Sequence, residues 1–183
     1  MQRASFSLAA FLVTLLFAGC AHHAAITTPK LAKLNEQIAS NPKDADAYAN
    51  RGYTLALLGQ KAAARADLRK AVELDNSAPR HNRVGWGYFN MGDAKDALRE
   101  WKLAADLSKR QARYDYYCLA LGYWANDDIA QALENYNLAV ERDERFGEMK
   151  TLVERVAEWT DTEQREMRAI YSLWSKTYVV PKK

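Results

Sequence analysis

The sequence is poor in the residues that most site chemistry needs. Its 183 residues include two cysteines, three histidines, four prolines and eight glycines. Two cysteines cannot build a disulfide framework, and if Cys20 is modified then Cys118 has no partner in the chain. A lone cysteine in an apolar helix packs as a small core residue. His22 and His23 are adjacent near the N-terminus and His81 opens a helical segment, so no Cys/His set has zinc spacing. No glycine-rich phosphate loop occurs, and no serine sits on a strand-to-helix turn. The pair Asp127-Asp128 is accounted for by a turn and a helix N-terminus. Formal charge is only +3, with Lys, Arg, Asp and Glu mixed throughout, which argues against a nucleic-acid partner. The expectation is a chain with no catalytic residue, no metal, no cofactor and no small-molecule substrate. An enzyme is kept only as a distant alternative.

Long apolar runs are also scarce. The one that exists extends from about Ala4 to Ala18, preceded by Met1-Gln2-Arg3 and followed by Gly19-Cys20. A basic start, an apolar core and small residues before the end make the layout of a secretory signal peptide. About 15 residues is short for a membrane span, which needs roughly 20. Leu15-Leu16-Phe17-Ala18-Gly19-Cys20 resembles the bacterial lipobox, with Phe17 standing where leucine is usual. That resemblance implies a signal peptide over 1–19, a lipidated Cys20 and a tether over 20–29. An ordinary signal peptide cut nearby and an uncleaved anchor are the alternatives. The lipobox resemblance also implies three acyl chains, and with about 0.8 kcal/mol per buried methylene such an anchor is effectively permanent. Ala21, rather than Asp, follows the cysteine, which by the same resemblance implies the outer membrane, with the protein facing the periplasm.

What the remainder does have is an internal repeat. Gly52, Gly59, Ala64 and Ala71 recur 33 residues later as Gly85, Gly92, Ala97 and Ala104. Tyr88, Ala97 and Ala104 recur 35 residues later as Tyr123, Ala132 and Ala139. Each unit places small residues where two helices cross and a bulky one beside them (Leu68, Trp101, Tyr136), as close helix packing requires. The turns carry Gly59, Gly92 and Asn126-Asp127, residues that tolerate a left-handed backbone. Ser77 before Pro79 is a helix start. This pattern resembles that of the tetratricopeptide repeat (TPR) proteins. It implies an all-α, right-handed solenoid of antiparallel helical hairpins, with repeats over 45–78, 79–112 and 113–146. A half-repeat helix over 30–44 precedes them, using Leu31, Leu34 and Ile38. A capping helical hairpin over 147–177, with Asp161 and Gln164 spaced as a capping box, follows them. Residues 178–183 form a tail.

By the same resemblance, the first helix of each unit lines a concave groove. Tyr53, Asn82, Trp86, Phe89, Asn90, Tyr114, Tyr117, Leu121 and Trp124 fall on its lining positions. Tyr48, Val84, Tyr88, Tyr116, Leu119 and Tyr123 already fill the core positions, so the groove aromatics are surplus to the repeats' own packing. Trp and Tyr suit a face that excludes water and holds a partner. The expected partner is a protein or peptide of the bacterial envelope. Internal packing of the same aromatics is the alternative. Asp67 and Glu100, interleaved with Arg65, Arg69, Arg99 and Lys102, read as part of a solvated outer face. The resemblance thus implies a membrane-tethered scaffold or adaptor. A self-associating structural component is the second possibility, and a periplasmic enzyme the least favoured.

Overall fold

Each helix begins and ends where its residues dictate. The computed structural model describes residues 29–178, in which 29–40 form α1. Asp44 caps α2 (Ala45–Leu57), its side-chain oxygen accepting from the Ala47 N–H at 2.9 Å. That bond satisfies one of the donors a helix start leaves without a partner. Gly59 then takes φ 72° and the chain reverses into α3 (Lys61–Leu74). Gly92, at φ 79°, does the same between α4 (Ala78–Asn90) and α5 (Ala94–Leu107). In the third hairpin, α6 (Asp115–Trp124) and α7 (Ile129–Arg142), Asp127 holds the left-handed conformation at φ 61°. Ser77 occupies the N-cap of α4, but its hydroxyl donates to Asp75 at 3.0 Å instead of accepting from the helix.

A 3-10 turn (Glu144–Phe146), α8 (Met149–Arg155) and α9 (Asp161–Tyr178) complete the described residues, which contain no strand. None of their helices is long and apolar enough to cross a membrane. The expected signal peptide, Cys20, nearly all of the expected tether and the residues beyond Tyr178 lie outside the described residues.

The repeat pattern becomes packing in a direct way. Helices α2 and α3, α4 and α5, and α6 and α7 pair as hairpins, and α4 packs on α2 and α3. The bulky residue of each second helix, Leu68, Trp101 or Tyr136, is almost entirely enclosed, as are the alanines at 64, 97 and 132. A Cβ at Gly85 would fall within the Trp101 indole, so only glycine lets α4 lie against α5 there. Each large side chain buried in this way contributes roughly 1.5–3 kcal/mol. The third hairpin sits differently. Helix α6 packs against α5, while α4 and α6 meet through side chains, chiefly Trp86 and Tyr117 at 6.4 Å between centroids.

Two carboxylates expected on the solvated face are buried. Asp67 accepts two bonds from the Arg51 guanidinium, at 2.6 and 2.8 Å. Glu100 meets His81 Nδ1 at 2.6 Å and accepts from Arg99 at 2.9 Å. Asn135 occupies the equivalent position of the third hairpin and donates to the Gln131 carbonyl. A buried charge is tolerated only when paired, and here the first helix of the hairpin supplies the partner. The surface pattern read from the sequence missed it because Arg51 and His81 lie 16 and 19 residues away from their carboxylates.

After the third hairpin the chain does more than cover an end. Phe146, Leu152, Val156, Met167 and Ile170 are all enclosed, and α9 packs against α6 and α7. Its capping box lies one residue earlier than the spacing of Asp161 and Gln164 suggested. Thr160 Oγ1 accepts from the Glu163 N–H at 3.3 Å, and Glu163 accepts from the Thr160 N–H at 2.8 Å. This reciprocal pair fixes where α9 starts.

Candidate protein-binding site on the inner face

Helices α2, α4 and α6 carry the expected groove residues, and the chain's own residues 159–166 touch five of them, Tyr53, Trp86, Asn90, Tyr117 and Trp124. Trp159 contacts both central aromatics: its ring centroid is 5.0 Å from that of Trp86, at 67°, and 5.5 Å from that of Tyr117. These are edge-on and tilted pairs, the arrangements that ring quadrupoles favour. Tyr117 also stacks on Phe146 at 5.3 Å. Trp86 also packs edge-on to the buried Trp101 at 5.2 Å, which joins it to the core.

The polar contacts converge on one carboxylate. Glu163, 3% exposed, accepts from Asn90 Nδ2 at 2.7 Å and from the Tyr53 hydroxyl at 3.3 Å. Burial, with this carboxylate beside it, holds the Tyr53 phenol well above its ordinary pKa. Burial does the same for Tyr117. Asn90 donates to the Trp86 carbonyl as well, which locks its amide toward Glu163. Trp124 Nε1 donates to Glu166 at 3.0 Å, one turn further along α9.

The remaining groove residues separate into lining and core. Asn82 and Tyr114 line a cleft of about 370 Å³ with Arg83, Trp86, Arg80 and Asp46. Asn82 also donates to Cys118 Sγ at 3.1 Å, and burial pushes that thiol's pKa up. A second cleft of about 200 Å³ lies between Tyr53, Arg83, Trp86, Tyr117 and Trp159. Arg83 and Trp86 line both, so the two clefts are neighbours. The Arg83 guanidinium lies 5.8 Å from the Tyr53 ring, a cation–π contact, and forms no ion pair among the described residues. Phe89 and Leu121 are buried, Phe89 against Trp101 at 5.7 Å and Leu121 wholly enclosed. Leu121 is core, whereas Phe89 lines a further cleft of about 380 Å³ with Trp124, Thr162 and Glu166.

Tyr53, Asn82, Trp86, Tyr114 and Tyr117 thus line two neighbouring clefts while Leu121 is enclosed, and the alternative of internal packing is realised in part, by a segment that sequence reasoning did not nominate. Trp159, Thr160, Glu163 and Glu166 were left out because their partners lie as far as 110 residues away. One local signal was available: Thr-x-x-Glu at 160–163 with an indole just before it.

Three stacked helical hairpins with an aromatic inner face define a helical-repeat protein of the kind that binds other proteins. Residues 45–77 match the family model described as "Tetratricopeptide repeat", so the first hairpin is a repeat of that family. It is similar to DnaJ homolog subfamily C member 7 of Homo sapiens, with 30% identity over 130 residues, which is 70% of this chain and 21% of that protein. The Mus musculus protein of the same name is 36% identical over 73 residues, 39% of this chain and 15% of the relative. The chain therefore spans about a fifth or less of the length of these curated relatives.

Proposed function

We propose that this protein is an adaptor of the bacterial cell envelope, held to a membrane by lipid on Cys20 and recruiting a protein partner through the inner face of its repeats. The single observation that carries the binding role is that inner face: Tyr53, Trp86, Tyr114, Tyr117 and Arg83 line two neighbouring clefts beside the hairpins. Aromatic and arginine side chains in a partly desolvated recess are the groups that dominate protein interfaces. The tether is supported by the signal-peptide layout ending at Cys20, and the outer membrane by Ala21 after it. The proposed activity is binding alone.

The test is a pull-down from detergent-solubilised membranes of the source cells, using the full chain and an Arg83→Glu, Tyr114→Ser variant beside it. A heterologous protein captured by the wild type and lost with the variant supports the adaptor. Recovery of nothing but further copies of the chain would replace it with a self-associating structural component. Cys20→Ser should move the folded protein from the membrane to the soluble fraction. Unchanged membrane association of that variant would remove the lipid anchor from the proposal.

A further inference from the structure

We propose that residues 158–166 are a built-in occupant of the inner face, standing where a partner segment binds. That segment carries an aromatic side chain and, four residues later in a helical turn, a carboxylate. The inference deepens the adaptor reading above and rests on it.

The contacts divide the C-terminal hairpin into two parts. Met167 and Ile170 are wholly enclosed and Trp174 nearly so, its Nε1 donating to Asn137 of α7 at 3.1 Å. These residues seat α9 as the end of the solenoid. The stretch before them touches the repeats differently. Trp159 lies between Trp86 of α4 and Tyr117 of α6. Glu163 bonds Tyr53 of α2 and Asn90 of α4. The short stretch from Trp159 to Glu163 therefore meets the first helix of all three hairpins through aromatic edges and hydrogen bonds. With Met167 to Trp174 in place, the first turn of α9 can leave the groove without unseating the rest, as local opening of a terminal turn requires.

The groove's own chemistry states what replaces it. Tyr53, Asn90 and Trp124 turn donors toward this stretch, and the groups that accept are the carboxylates of Glu163 and Glu166. An apolar segment entering there would forfeit these bonds and leave Trp124 Nε1, which bonds only Glu166 among the described residues, without its acceptor. Arg83, unpaired among the described residues, adds a positive charge at the mouth of the same site. Glu158 and Trp159 line the 200 Å³ cleft together with Tyr53, Tyr117 and Arg83, and the 370 Å³ cleft lies beside it on the other side of Arg83 and Trp86. The occupant that fits is acidic and aromatic.

The test uses a fluorescein-labelled synthetic peptide of residues 156–168 and the full chain. Anisotropy titration of a Trp159→Ala, Glu163→Ala double variant should show peptide binding at least tenfold tighter than wild type, since a groove occupied by its own segment reduces apparent affinity by the fraction open. Adding Asn90→Ala to the double variant should weaken the peptide about tenfold. Equal, weak binding by wild type and double variant would overturn the proposal. So would loss of the helical circular-dichroism signal in the double variant, because a removable occupant leaves the repeats folded. Hydrogen exchange on the wild type gives a check that needs no variant. Amides of 161–164 should exchange at least tenfold faster than those of 167–174, and equal rates would overturn the proposal. Peptide binding without partner capture in the pull-down would leave this inference standing and remove the adaptor; capture without peptide binding would do the reverse.

Discussion

Replacing Glu163 with alanine tests the link between the two ends of the repeat array. The wild-type carboxylate accepts from Asn90 Nδ2 at 2.7 Å, the Tyr53 hydroxyl at 3.3 Å and the Thr160 N–H at 2.8 Å. Hydrogen bonds to a charged group are worth about 1.5–3 kcal/mol each, and the cost of burying the carboxylate offsets much of their sum. Asn90 keeps its bond to the Trp86 carbonyl in the variant, and the Tyr53 hydroxyl lies near an open cleft. Only the Thr160 N–H loses its sole side-chain acceptor, a helix-cap loss of about 1 kcal/mol. The net expectation is a destabilisation of about 2 kcal/mol by urea titration, with an unchanged m-value. For a chain of this length that is a fall in Tm of roughly 4–8 °C. Glu163→Gln keeps an acceptor and should cost about half as much. The decisive quantity is the double-mutant cycle of Glu163→Ala with Asn90→Ala, expected to show a coupling of about 1 kcal/mol across 73 residues of sequence. A coupling within error of zero would refute the reasoning.

Gly85→Ala should destabilise by about 1–3 kcal/mol, because the added methyl displaces the Trp101 indole and overpacking outweighs the gain in helix propensity. Gly92→Ala, with open space around its Cβ but φ 79°, should cost about 1–2 kcal/mol through the backbone alone. Urea midpoints of the two variants check both values, and a neutral Gly85→Ala would contradict the packing described. Asp115 is buried, with one carboxylate oxygen lacking a partner, and burial raises its pKa. Its folded-state pKa therefore lies above the unfolded value near 3.9, so it binds protons more readily in the fold and its contribution declines as pH rises from about 4. Asp115→Asn should accordingly gain on the wild type between pH 4 and pH 7.5 in paired urea titrations, and a difference independent of pH would contradict this. Tyr136→Phe loses the bond from its hydroxyl to the Phe146 carbonyl, 2.8 Å long and buried, and thermal melts should show a loss of about 1–2 kcal/mol.

What was legible in the sequence was whatever repeats locally. The 33- and 35-residue spacings announced the helical hairpins, and the three turns were readable from Gly59, Gly92 and Asp127 because a positive φ restricts which residues serve. Leu68, Trp101 and Tyr136 were readable as core because each is bulky and faces a small residue at a fixed interval. The groove positions could be named from the same register, and five of them, Tyr53, Asn82, Trp86, Tyr114 and Tyr117, line two neighbouring clefts. Their state could not. Whether Trp86 and Tyr117 are open depends on Trp159, whose distance in sequence from them bears no relation to the repeat. Asp67 and Glu100 misled for a related reason: a carboxylate among basic residues looks solvated until the tertiary partner is known. Leu121 occupies a lining position by register but is enclosed, because α6 approaches α5 more closely than α4.

The central claim is that the inner face is closed in part by the chain's own Trp159, and the most direct measurement is a nuclear Overhauser experiment on the assigned indole protons of the full chain. With ring centroids 5.0 Å apart, Trp86 and Trp159 should show cross-peaks between their ring protons, and Trp159 should show them to Tyr117 as well. Resolved indole resonances for both tryptophans without any cross-peak between them would contradict the account.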